Sequence, residues 1–172
     1  ADFRGSTQGN IYTGTTTIEA GTLLASCPMG YSTGSGAVIV TNSGTLGGTG
    51  MIEGAVTVYP GAGINPGASV GTLTVSNNVT MASGTTFGVD LADGSNDLLV
   101  VYGDLTIAGN VSPTLLDGYD PPKNTEWTIA TVMDGGALDI TGATADPGYV
   151  VSSDASNVYL SNPPQGSVFM VL

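Results

Sequence analysis

A chain of 172 residues with 27 glycines, 23 threonines and only 9% charged residues is long enough for one domain with a real core. An average soluble domain carries about 25% charged residues, so Thr, Ser, Asn and Gly must cover this surface instead. Fourteen acids face two bases, Arg4 and Lys123, for a net charge of −12, which excludes nucleic acid and anionic membrane surfaces as partners, since both need clustered Lys or Arg.

In chain order, apolar residues alternate in short runs separated by turn residues. The first run is "TTTIEAGTLLAS", Thr15 to Ser26. Within it "LLASC", Leu23 to Cys27, matches a lipobox superficially but lacks a basic start and a long apolar core, so lipidation is rejected. Cys27 is the only cysteine, which rules out an internal disulfide and is read as a buried thiol.

Next come "GAVIV" from Gly36, "GAVTV" from Gly54 and "GTLTV" from Gly71, at nearly equal spacings. A second series has "GTL" at Gly21 and at Gly44, "GAGI" at Gly61 and "GTTF" at Gly84. Looser copies are "GDLTI" from Gly103, "WTIATV" from Trp127, "ALDI" from Ala137 and "NVYL" from Asn157. Apolar residues at i and i+2, such as Val38 with Val40, Val56 with Val58 and Leu105 with Ile107, predict inward faces of strands. Gly-Gly, Asn-Pro-Gly and Asp-Gly between them permit sharp corners.

A sandwich would show about seven longer strands joined by hairpins. The short, regular repeat predicts a coil instead, an all-β solenoid whose turns are each about 17–23 residues long. Thr and Asn would form ladders outside it, with Val, Ile and Leu stacked within. Seven or eight such turns stacked at ~4.8 Å make a rod of roughly 35–40 Å. No run approaches the roughly 18 or more apolar residues of a membrane helix. Neither end shows an amphipathic capping helix or a charged cap, so open edges are expected at both.

"NIYTGTTTIEAGTLLAS" (Asn10 to Ser26) resembles the autotransporter-associated β-strand repeat. Ser43 to Leu91, Asn96 to Val111 and Thr125 to Asn162 are similar to the segments that follow it in that family, so the resemblance spans most of the chain. The resemblance implies a right-handed parallel β-solenoid (β-helix) exposed outside the cell, with structural or adhesive roles and no catalytic residues. It also places Asp97 where a strand opens. One departure is Val70, where the family has a second proline. The chain opens on Ala1, which fits removal of a leader or a piece of a longer protein.

Without histidine, a Ser-His-Asp or Cys-His arrangement is impossible. Acid pairs such as Asp117 with Asp120 in "DGYD" are the remaining candidates for glycoside chemistry. "DGSND" places Asp93 and Asp97 about a glycine, a calcium echo that also reads as plain turn chemistry. No cofactor is expected.

The chain divides into a solenoid over 1–162 and a terminal segment over 163–172, where Pro163-Pro164 precedes "SVFMVL". Ser167, Val168, Phe169, Met170, Val171 and Leu172 form an uncharged run of strong β-propensity, suited to pairing with another copy. The expectation is a secreted, non-enzymatic subunit that assembles with itself into an extracellular fibre. The alternatives are a stalk or adhesin fragment of an autotransporter passenger, with its surface glycan or cell partner left open, and a carbohydrate-active β-helix.

Overall fold

The computed structural model describes residues 9–164 and has no helix among them. Glycine-rich runs poor in Glu, Lys and Arg give helices no footing, whereas Val, Ile and Thr suit a pleated surface. The first strands are β1 (Thr16–Leu24), β2 (Val38–Gly48), β3 (Met51–Ile52), β4 (Val56–Val58), β5 (Gly63–Pro66) and β6 (Thr72–Val75). There follow β7 (Val79–Met81), β8 (Thr86–Ala92), β9 (Ser95–Asn96), β10 (Leu98–Val101), β11 (Leu105–Ile107) and β12 (Asn110–Leu115). Last are β13 (Glu126–Val132), β14 (Leu138–Asp139), β15 (Thr144–Ala145), β16 (Val150–Ser153) and β17 (Asn157–Ser161).

The long strand β2 serves two faces. Val38–Val40 pairs with β4 and Thr45–Gly48 with β5, and between them Asn42 takes a φ of +56°. One ladder of parallel strands runs β1, β2, β4, β7, β11, β14, and its neighbour runs β1, β2, β5, β8, β12, β15. A second sheet carries β3, β6, β10 and β13, again parallel. The chain is all-β with parallel strands in a curled sheet, a β-helix-like arrangement.

The core is three columns of stacked side chains. Ile18, Val40, Val58, Met81 and Ile107 occupy matching positions on successive strands of the first ladder. Leu23, Leu46, Ile64, Phe87 and Val111 do so in the second. Ile52, Val75, Val101 and Val132 do so in the second sheet. All are buried, because period-two alternation sends every other side chain inward and parallel register keeps like over like. Outside, Thr57, Thr80 and Thr106 align, and Thr144 donates from Oγ1 to Asn110 Oδ1 at 2.9 Å. The outer Thr and Asn ladders are present.

Register corrects several sequence readings. Val38 sits opposite Val56, as the spacing of "GAVIV" and "GAVTV" predicts. The partner of Val56–Val58, however, is Val79–Met81, and "GTLTV" lies in the other sheet against Met51–Ile52. The tight Asn-Pro-Gly corner carries the chain onto a new face before the strand begins. Later turns are longer than the repeat spacing predicts, since Val79 pairs with Leu105 and Leu105 with Leu138. The insertions are a β8–β9 hairpin and the loop between β12 and β13. Six levels of the first ladder are formed among the described residues, rather than seven or eight.

The expectation of two open ends holds for β14 and β15, which end the two parallel ladders with no further strand partner among the described residues, but not for β13. Strand β17 runs antiparallel to β13, and β16 antiparallel to β17, so "NVYL" is a reversal rather than another parallel copy. Its turn is pinned by Asp154, which accepts from the Tyr159 hydroxyl at 2.6 Å and from the Ser156 and Asn157 backbone N–H groups. The Tyr159 bond, then the two backbone bonds, hold the Asp154 carboxyl well below the usual carboxylate range. An antiparallel hairpin with a fixed charge at its turn blunts that edge.

Gly48 shows what the corners demand. Its φ is +103°, and it exchanges backbone hydrogen bonds with Gly67, of 2.6 and 2.8 Å. An added Cβ would collide with the Ala25 backbone. Gly48→Ala should therefore destabilise by at least about 2 kcal/mol. Gly94→Ala, also at positive φ but in open space, should lose only about 1 kcal/mol. Urea midpoints of the two variants check the difference, and equal losses would refute the close packing at Gly48.

Candidate functional site

The calcium candidates sit at the β8–β9 hairpin. Asp97 is fully buried just before β10, as the resemblance implies. Its Oδ1 accepts from the Gly71 backbone N–H and its Oδ2 from that of Asp90, each at 2.8 Å. Asp97 thus ties the corner over residues 67–71, which contains the departing Val70, to β8. Burial pushes its carboxyl up to about 6, outweighing the two backbone hydrogen bonds. Asp90 is raised as well, again by burial. Asp93 is exposed in the hairpin turn, and among the described residues no three or more His, Cys, Asp or Glu are grouped to hold a metal.

The glycoside candidates lie in the loop between β12 and β13. Asp117 is exposed and takes a φ of +50° at the Asp-Gly turn. Asp120 lines a cavity of about 180 Å³ formed with residues of the turn before β16, and Asp117 is not among that cavity's lining residues. The structure therefore does not bring the two acids together there. Sequence reasoning missed what it brings instead, Lys123 and Tyr149. Their separation along the chain matches no repeat period, so no spacing signal marked them.

Self-association depends on edges. Among the described residues β1 has a strand partner only on its β2 side. A groove of about 260 Å³ follows β1 from Thr16 to Leu23, where Ile18 and Leu23 are the first rungs of two core columns. The proposed pairing strand, Ser167, Val168, Phe169, Met170, Val171 and Leu172, lies outside the described residues. Cys27, read as a buried thiol, is buried, and its Sγ donates to the Met29 carbonyl at 3.0 Å.

The chain is 43% identical over 114 residues to the adhesin BmaC autotransporter of Brucella suis biovar 1 (strain 1330). That similarity covers 61% of this chain and 3% of the relative, so the chain spans a small fraction of the protein it matches. No family model matches.

Proposed function

We propose that the chain is a right-handed parallel β-solenoid segment of a secreted or cell-surface adhesin of the autotransporter-passenger type, a non-enzymatic scaffold that presents its outer faces to a partner. The observation that carries this reading is the 43% identity to an autotransporter adhesin, in a chain whose parallel ladders hold matching apolar rungs. Repetition of this kind builds extended surface rather than a single cleft. Beads coated with the purified chain should be retained on host-cell monolayers several-fold above albumin-coated beads, with soluble chain competing. Retention no greater than albumin's would remove the adhesive role.

A second reading, end-to-end association into a fibre, has one observation in its favour: the β1 edge and groove at the amino-terminal end of the ladder. There the strand "SVFMVL" of another copy would add alongside β1, a heterologous contact that nothing closes. Deleting residues 163–172 should then leave a folded monomer. Long fibres from that truncation would refute strand addition.

A further inference from the structure

The cavity beside β12 has chemistry that neither reading uses. Its walls come from two loops, and Asn162 ties down the one between β12 and β13. This side chain, 3% exposed, accepts from the Thr125 backbone N–H at 2.8 Å and donates to the Pro122 carbonyl at 3.1 Å. Tyr149 forms one wall, backed by the Trp127 ring with centroids 6.3 Å apart. Trp127 is itself in the core, so the Tyr149 ring is held rather than free to swing. Burial, and then the Asp146 charge, raise the Tyr149 hydroxyl pKa.

Two charges of opposite sign face the same space. Asp120 and Lys123 both line it, and among the described residues neither is engaged in an ion pair. Leu115, 41% exposed, and Pro147 add apolar surface. At about 180 Å³ the cavity is smaller than the roughly 300–1,000 Å³ of sites for drug-sized ligands, so it takes one ring rather than several.

From this we infer that the cavity binds a single pyranose unit of a glycan. The sugar's C–H face lies on Tyr149 and Leu115. Its hydroxyls, which both donate and accept, donate to the Asp120 carboxylate and accept from the Lys123 ammonium. A zwitterionic amino acid would also meet both charges. It lacks the flat C–H face that a rigid aromatic wall favours, and exposed charge pairs contribute little on their own. Sugar binding is separable from the surface-protein reading, because the isolated chain binds sugar or does not, wherever it is displayed.

The test is a nuclear magnetic resonance titration of the full chain with methyl glycosides of common hexopyranoses, followed at the Trp127 indole and Gly148 amide signals. At least one glycoside should give saturable shifts in the millimolar range. Asp120→Asn and Lys123→Met, both at exposed positions and so without a folding penalty, should each weaken binding roughly tenfold, as expected for a lost hydrogen bond to a charged group. Tyr59→Ala, at an exposed aromatic outside the cavity, should leave binding unchanged. Absence of saturable shifts with every glycoside, equal affinity in the two charge variants and the unsubstituted chain, or saturation by free amino acids alone would overturn the inference.

Discussion

Phe87→Ala should cost about 3–5 kcal/mol. Phe87 is fully buried, with Ile64 directly below it and Val111 directly above in the parallel ladder. Backbone hydrogen bonds fix the spacing of these levels, so neighbours cannot close onto the vacated space as they can in a loosely connected core. The denaturant midpoint should fall while the slope stays unchanged. Tyr59→Ala, at 47% exposure, should change stability by no more than about 0.5 kcal/mol. A Phe87→Ala loss below about 1 kcal/mol would mean that the column is not continuously packed.

Asp97 gives the second large effect, and it is a pH effect. Its carboxyl titrates near 6 in the folded chain against an ordinary 3.8. Between those values the folded state holds a proton that the unfolded state has lost. Stability from this group is therefore fully present below about pH 4 and falls as pH rises through about 6, by on the order of 2 kcal/mol. Asp90, raised in the same direction, adds to the slope, as does mutual repulsion in a chain of net charge −12. Asp97→Asn cannot titrate there, so its midpoint should vary less between pH 4 and 6 than that of the unsubstituted chain. An unchanged slope in the variant would show that Asp97 is not the buried acid responsible.

Local pattern carried much of the fold. Alternation in "GAVIV" and "GAVTV" marked the inward valines, and the shared "GTL" at Gly21 and Gly44 marked true ladder partners, since Gly21 pairs with Gly44. "GTLTV" misled because the same short apolar alternation serves every face, and the corner before it changes the face without changing the pattern. The longer turns were hidden for a related reason. Insertions such as the loop between β12 and β13 add chain without disturbing the alternation on either side. The reversal at β17 was illegible too, because strand direction leaves no trace in a two-residue period.

The candidate sites followed the same division. The buried clamp at Asp97 was legible as a position that opens a strand, while its carboxyl bonds to Gly71 and Asp90 required the folded corner. The sugar-sized cavity was not legible at all, because Lys123 and Tyr149 come from separate loops that meet only in the folded chain.

The measurement that bears most directly on the account is electron microscopy of the purified chain at neutral pH, with its mass determined by light scattering. A surface-display segment predicts discrete short rods at the monomer mass of 17.1 kDa, with the antiparallel hairpin at β16–β17 covering the β13 edge of the second sheet. Uniform long fibres would contradict it and make end-to-end assembly the chain's own property.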